Sequence, residues 1–160
     1  MADPHPNAKL ITSFYEAFAR RDAEAMAACY APDARFSDPA FPDLKGGEVG
    51  DMWRMLCERA TGLRVEHSGV VADDANGRAH WEAWYEFGPR KRPVHNVIDA
   101  EFRFEAGRIT QHIDTFDFAR WSRQALGPIG LVLGWTPLVR NKVRRSAATA
   151  LASWEAKHPG

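Results

Sequence analysis

The sequence predicts an α+β fold: one domain in which a curved antiparallel sheet wraps against N-terminal helices, followed by an extra helical tail. Two patterns predict it. Apolar residues recur at helical spacing through the first 60 residues, and alternation replaces that spacing from residue 63 to residue 118. Because 160 residues are enough for one sizeable core, we expect the sheet-and-helix domain to cover residues 1–120 and the tail, residues 121–160, to pack on the same domain or on a dimer.

Three helices are predicted ahead of the sheet, over residues 8–20, 23–30 and 48–60. The first and the third place apolar side chains three and four positions apart, as one buried helix face requires. Asp22 is a suitable N-cap for the second helix, and Pro32 is expected to end it. Gly62 closes the third helix, and a short extended segment over residues 34–38 separates the last two.

Four strands are predicted next. The first two, Leu63–Ala72 and Gly77–Phe87, are separated by a turn-rich tetrad, and Pro93–Phe118 contains two more that are joined at Glu105–Arg108. A regular pleat would place His95, Val97 and Asp99 on one face of the third strand, and His112, Asp114 and Phe116 on one face of the fourth.

Asp99 and Asp114 are carboxylates in mid-strand between apolar or aromatic neighbours. A buried carboxylate is costly unless it is paired or functional, so we expect both to line a pocket between helices and sheet. His95 and His112 each flank an acid at two-residue spacing and are candidate acid–base partners. Asp38 precedes Pro39, so it either joins this pocket or simply starts a turn.

The composition limits which kinds of binding partner are expected. The 21 basic and 21 acidic residues give a formal net charge of zero, which does not favour nucleic acid or an anionic membrane as the main partner. The two cysteines lie in predicted helices and are expected to be reduced, and the N-terminus lacks an apolar signal core, so a cytoplasmic protein is predicted. The longest apolar stretch is too short for an integral membrane segment.

No metal and no cofactor are expected. The spacing of His80, His95, His112 and Asp114 does not require a metal, and the sequence contains no phosphate loop, dinucleotide fingerprint or nucleophile elbow.

The tail combines helix and apolar loop. Residues 118–126 and 138–157 are predicted helices, and residues 127–137 are apolar but interrupted by glycine and proline. One interpretation is that the tail covers the open end of the sheet or a subunit boundary. The other is a reversible contact with a membrane surface or a partner, because basic residues adjoin Leu131, Leu133 and Trp135.

Three strings carry a family resemblance: YAPDARFSDP (Tyr30–Pro39), VIDAEFRF (Val97–Phe104) and GRITQHIDTFD (Gly107–Asp117). With the order of elements, they resemble the nuclear-transport-factor-2-like superfamily of cone-shaped, cystatin-like α+β barrels, in its SnoaL-like and steroid delta-isomerase-like branches. The resemblance covers residues 8–120.

The steroid isomerase branch implies two site residues. Asp38 lies at the position of its proton-shuttling carboxylate, and Asp99 lies at the position of its protonated aspartic acid, which hydrogen-bonds the enolate oxygen. The oxyanion tyrosine of that branch corresponds to Phe14, which has no hydroxyl. We expect the neighbouring Tyr15 to point about 100° away around the helix.

Two other branches point to Asp114. The last strand is similar to that of limonene-epoxide hydrolases, in which Asp114 would match the water-activating aspartate, with His80 and Glu82 near the positions of its partners. SnoaL-like polyketide cyclases also use an acid on this strand.

The sequence therefore predicts a cofactor-free enzyme for proton transfer beside a carbonyl of a small apolar compound, of isomerase or cyclase type. Asp38 or Asp114 would be the base, and Asp99 or His112 the donor to the oxygen. The alternatives are a non-catalytic module that binds a small molecule or a partner, and water addition to an epoxide. A homodimer through the outer sheet face is expected. The expected lining residues are Phe14, Tyr30, Trp53, Glu82, Trp84, His95, Val97 and Phe116.

Overall fold

A computed structural model describes residues 3–159, which form six helices and six strands. In chain order they are α1 (Pro6–Ala19), α2 (Ala23–Ala27), β1 (Tyr30–Ser37), β2 (Leu44–Lys45), α3 (Gly47–Arg59), β3 (Thr61–Ala72), β4 (Asn76–Phe87), β5 (Arg92–Glu105), β6 (Arg108–Thr115), α4 (Phe118–Leu126), α5 (Pro128–Leu133) and α6 (Pro137–Lys157). Helices precede the main strands and a helical tail follows them, which confirms the predicted α+β class.

The second helix differs from its prediction. The Asp22 carboxylate accepts a hydrogen bond from the backbone N–H of Ala25 and caps α2, as predicted. However, α2 ends at Ala27, and Tyr30 already begins β1. The predicted stop at Pro32 is wrong, because pairing with β6 extends this segment as a strand that includes the proline.

The six strands form one sheet in the order β2-β1-β6-β5-β4-β3. Strands β3 to β6 are the antiparallel meander that the alternation predicts. Strand β1 adds to it in parallel with β6, and Phe36 lies opposite His112. Strands β2 and β3 are the two edges of the sheet and do not pair with each other, so the curved sheet does not close into a barrel.

One face of the sheet is buried under α1 and α3, and we call it the inner face. On β5 the even-numbered residues from Val94 to Phe104 are buried, whereas the odd-numbered residues are half-buried or exposed. This period of two is what a strand with one covered face requires. The core beneath is rich in aromatic side chains, among them Phe14, Tyr15 and Trp53.

The first part of the tail packs on β4 and β5. Trp121 of α4 donates its indole N–H to the Tyr85 hydroxyl at 2.8 Å. The Gln124 side chain accepts a hydrogen bond from the backbone N–H of His95 at 2.6 Å. Phe118, Trp121 and Val94 form a small second apolar cluster there.

Helix α6 crosses back over the domain. Trp154 is 5% exposed and donates to the Glu58 carboxylate at 2.8 Å, which anchors the end of α6 on α3. Near its start, Nε of Arg144 donates to the carbonyl oxygen of Pro39 at 3.0 Å. Within residues 3–159, none of the helices is both long and apolar enough to cross a bilayer.

Gly130 sets how closely α5 approaches α4. The residues predicted to be an interrupted apolar stretch form a helix there, and a Cβ atom at Gly130 would overlap the carbonyl oxygen of Ser122. That atom belongs to backbone, so it cannot move aside without separating the two helices.

We expect Gly130→Ala to destabilise the protein by about 1–3 kcal/mol, as overpacking does. Gly47→Ala is the matched control, because a Cβ atom at Gly47 meets nothing within 4 Å and the residue is the first of α3. The measurement is urea unfolding followed by circular dichroism. Equal midpoints for the two variants would contradict the close contact.

Candidate functional site

A line of hydrogen bonds runs through the interior between α3 and the inner face. The indole N–H of Trp53 donates to the Tyr30 hydroxyl at 3.0 Å, and that hydroxyl lies 2.7 Å from Nδ1 of His112. Nε2 of His112 lies 2.9 Å from Oδ1 of Asp114, and the indole N–H of Trp81 donates to the same oxygen at 3.2 Å.

The sheet geometry brings these residues together. His112 and Asp114 are two positions apart on β6 and therefore share the inner face. Tyr30 comes from β1, which pairs with β6, and Trp81 comes from β4. The side chains of His112 and Asp114 are 0% and 2% exposed, so the line is enclosed by protein.

The two indole N–H groups determine which atom donates and which accepts in each hydrogen bond of the line. An indole N–H can only donate, so Tyr30 and Asp114 must accept from Trp53 and Trp81. The Tyr30 hydroxyl then has its own proton available for Nδ1 of His112, and Nε2–H of His112 donates to Asp114. In this assignment every donor of the line has an acceptor.

Aromatic rings surround His112. The Phe102 and Phe36 rings lie 4.3 Å and 5.0 Å from the imidazole, and Phe14 lies at 5.7 Å. These rings keep water away from the imidazole, and electrostatic interactions are stronger in such a medium than in water.

Two groups in this interior keep unused hydrogen-bonding capacity. Both contacts of Asp114 use Oδ1, which leaves Oδ2 without a hydrogen bond to any of residues 3–159. The Tyr15 hydroxyl is fully buried and has no hydrogen-bond partner in the described part of the chain. Burial and the charge of Asp114 raise the pKa of Tyr15 well above its usual value, so the hydroxyl keeps its proton.

Tyr15 is a site candidate that sequence reasoning missed. We expected it to point away from the pocket, but α1 lies in the concavity of the sheet and buries a wide face that includes both Phe14 and Tyr15. The Tyr15 ring stacks on His67 at 5.5 Å and lies 5.8 Å from Trp81. The breadth of the apolar face of α1, Leu10 to Phe18, was the available signal.

Asp38 combines both interpretations given to it. Its Oδ1 accepts hydrogen bonds from the backbone N–H groups of Ala40 and Phe41 at 2.7 Å and 2.6 Å, so it does start a turn. The pKa of Asp38 is raised to about 7, mainly by burial and in part by the charge of Asp114, although those two N–H groups act to lower it. Asp38 therefore lies close enough to Asp114 for the two carboxyls to interact.

The placement of Asp99 in the pocket wall is wrong. Asp99 lies opposite Thr115, and it is Ala100 that lies opposite Asp114, so the two acids point to opposite faces. The Asp99 side chain is 81% exposed and lies 2.9 Å from Nδ1 of His80. It has no access to the interior.

Four predicted lining residues share that outer face. Glu82, Trp84, His95 and Val97 are all half-buried and alternate with buried residues on β4 and β5. Glu82 lies 3.1 Å from His80 and 2.7 Å from His95, so its pKa is lowered. The proposed match of His80 and Glu82 to partners of Asp114 in an epoxide hydrolase is therefore wrong as well.

The remaining predicted residues lie inside. Phe14, Tyr30 and Trp53 are buried around His112, and Phe116 is half-buried between the two apolar clusters. Across residues 3–159, no group of three or more His, Cys, Asp or Glu side chains is placed to hold a metal ion.

Tyr30→Phe should destabilise the protein by about 1–3 kcal/mol, because it leaves Trp53 and His112 without their shared partner. Tyr15→Phe is the matched control: its hydroxyl has no partner, so its loss should change the free energy of unfolding by less than about 0.5 kcal/mol or stabilise the fold. Chemical denaturation measures both. If Tyr15→Phe costs as much as Tyr30→Phe, the hydrogen-bond assignment fails.

Solved structures with this fold include several with different descriptions. An NTF2-like protein of unknown function from Burkholderia pseudomallei is 23% identical, with a TM-score of 0.66 over 75% of this chain and 97% of that one. An LEH-like epoxide hydrolase from M. tuberculosis is 23% identical, with a TM-score of 0.64 over 80% and 96%. A protein with a ketosteroid isomerase-like fold from Catenulispora acidiphila, in complex with trimethylamine, is 15% identical, with a TM-score of 0.66 over 81% and 98%.

These identities show a shared fold and do not transfer an activity. None of the curated proteins is detectably similar to this chain in sequence. A family model described as SnoaL-like domain matches residues 11–112, from α1 to His112 on β6. The chain therefore belongs to the SnoaL-like domain family, within the NTF2-like fold.

Proposed function

We propose that this protein is a cofactor-free enzyme that moves a proton beside the carbonyl of a small apolar compound, in an isomerisation or a cyclisation. One observation carries the proposal: Asp114 is enclosed, its Oδ1 is held by two N–H donors, and its Oδ2 is left free. A carboxylate fixed in this way is oriented as a general base.

The other unused groups supply the remaining roles. The Tyr15 hydroxyl keeps its proton and has no protein partner, so it is available to hydrogen-bond a developing enolate oxygen. Asp38, with a pKa of about 7, is present both with and without its proton at neutral pH. It suits an acid that returns a proton.

Oδ2 of Asp114 takes a proton from the carbon beside the carbonyl, the C–H electron pair forms the enolate double bond, and Tyr15 hydrogen-bonds the enolate oxygen. In an isomerisation, protonated Asp38 gives its proton to the far carbon. In a cyclisation, the enolate carbon attacks a second carbonyl and Asp38 protonates the new alkoxide. Proton exchange between the two acids restores the starting state.

His112 has a positioning role in this proposal. Both of its ring nitrogens are used, by Tyr30 and by Asp114, so it does not serve as the donor to the oxygen. It holds Asp114 in place through the line that ends at Trp53.

Substrate entry requires movement, because Asp114 is almost fully enclosed. We infer that the entrance lies beside Asp38, where tail helices cover the domain. Arg144 of α6 bonds to Pro39 and lowers the pKa of Asp38, and Trp121 of α4 bonds to Tyr85, whose pKa burial and the Asp38 charge raise to about 12.

A non-catalytic binding module is the second candidate. Every donor of the interior line has an acceptor, which is what a purely structural network also achieves. A homodimer through the outer face is part of either proposal. The Trp84 ring stacks on His95 at 4.5 Å beneath the Arg64 guanidinium, which gives that face a flat aromatic surface.

The activity test uses a small cyclic β,γ-unsaturated ketone, cyclohex-3-enone, and follows the absorbance of its conjugated isomer. We expect Asp114→Asn to lower kcat/KM by about 10²-fold or more and Tyr15→Phe by about 10²-fold. Asp99→Asn is the matched control, because that acid lies on the outer face, and it should keep the wild-type rate.

If Asp114→Asn and Asp99→Asn both keep the wild-type rate, the catalytic assignment is wrong. If the wild type binds the ketone in a calorimetric titration without turning it over, the binding module is the better description.

Asp38 should also give the fold a measurable pH dependence. Its pKa rises from 3.8 in the unfolded chain to about 7 in the fold, so between these values the folded state binds more protons. The free energy of unfolding should therefore decrease as the pH rises from about 4 to about 7 and level off above it. Asp38→Asn keeps the turn but should make this decrease smaller.

Glu155 contributes a similar slope, since burial raises its pKa to about 7, but it does so equally in both proteins. Unfolding in urea at several pH values gives the comparison. Identical slopes for Asp38→Asn and the wild type would show that Asp38 is solvated as an ordinary acid.

A further inference from the structure

The start of the tail presents an exposed apolar surface. Large apolar side chains on α5 and at the start of α6 are 40% to 75% exposed, and we call them the apolar ridge: Ile129, Leu131, Val132, Leu133, Trp135 and Leu138. A group of large exposed apolar side chains this close together in the chain is typical of a protein or membrane contact site. The ring of Trp135 is 75% exposed, the largest exposed fraction in the set.

A cationic groove continues from this ridge along α6. Leu138, Lys142 and Arg145 follow one another at spacings of four and three and so share one helix stripe. Lys142 and Arg145 line a groove together with Arg59 of α3, and the other lining residues are Ser146, Thr149, Ala150 and Ser153. The lining contains three cations, three hydroxyls and no acid.

These three cations are unpaired. Within residues 3–159, no carboxylate lies within 4.0 Å of Arg59, Lys142 or Arg145, whereas Arg35 and Arg54 each have an acidic partner. Residues 118–154 contain six basic residues and no acidic one, although the whole chain has a formal net charge of zero. Positive charge is therefore concentrated on the tail beside the exposed apolar side chains.

We propose that the ridge and the groove together form a docking surface for a membrane of anionic phospholipid. The apolar ridge enters the boundary between headgroups and acyl chains, Trp135 lies at that boundary, and lipid phosphates occupy the groove. The hydroxyls of Ser146, Thr149 and Ser153 are available to donate to phosphate oxygens.

Charge favours lipid over a second copy of this chain. A two-fold contact through this surface would bring the same patch of both copies together and place cations against cations. An anionic membrane offers apolar depth and negative charge in one layer, which matches the arrangement of ridge and groove. The contact is peripheral, because within residues 3–159 no helix is long and apolar enough to span a bilayer.

The test is flotation of the full chain with vesicles of phosphatidylcholine alone and of phosphatidylcholine mixed with phosphatidylglycerol. We expect binding to the mixed vesicles only, weakened at high salt because the charges are exposed. The double variant Lys142→Gln/Arg145→Gln should bind roughly 25-fold more weakly, since each basic residue near an anionic surface contributes roughly fivefold.

The apolar part is tested by Leu131→Asn/Leu138→Asn, which should also lose binding. Val71→Asn is the matched control, because Val71 is 48% exposed on β3 and lies outside the tail. Tryptophan emission should shift to the blue on addition of mixed vesicles, and Trp135→Phe should remove that shift.

Three outcomes would overturn the proposal. The first is that the wild type fails to float, or floats equally with both kinds of vesicle. The second is that the leucine variant floats like Val71→Asn. The third is a concentration-dependent dimer in size-exclusion chromatography that the leucine variant abolishes, since this would assign the ridge to a second copy of the chain.

Discussion

The burial of one carboxylate, that of Asp114, constrains much of the interior. An ionised acid away from water is costly unless donors surround it, and here Trp81 and His112 donate to the same oxygen. When His112 donates from Nε2, its Nδ1 is positioned to accept from the Tyr30 hydroxyl, which in turn accepts from the indole N–H of Trp53. Four elements, α3, β1, β4 and β6, must therefore meet at one place for a single charge to be tolerated.

The pleat of the sheet separates two polar systems. On the inner face, β6 presents His112 and Asp114 to the core. On the outer face, β4 and β5 present His80, Glu82, His95 and Asp99, which form their own contacts next to solvent. Both sets contain histidines and acids two residues apart, so they look alike in the sequence. A shift of one residue in register would exchange them.

The similarity of the two faces in the sequence explains which features of the fold and the site could be predicted from it. Periodicity located the long helices and strands of the cone, since burial of one face imposes a regular pattern that is local in sequence. It assigned Asp99 to the interior wrongly, because alternation gives two faces without saying which one the helices cover; the pairing of Ala100 with Asp114 decides it. Tyr15 and Asp38 were harder, because their roles depend on how α1 and the tail pack across the sheet, which no local pattern contains.

The tail changes how the zero net charge should be understood. Balance over the whole chain argues against an anionic surface as a partner, but that argument assumes the charges are mixed. They are not: α4 to α6 carry cations without acids as far as Trp154, and acids are concentrated elsewhere. Since electrostatic attraction to a surface decays within about 8–10 Å at moderate salt, the charge nearest that surface decides binding. A neutral protein with one cationic, apolar side is therefore suited to reversible adsorption by that side, while the rest of its surface is repelled.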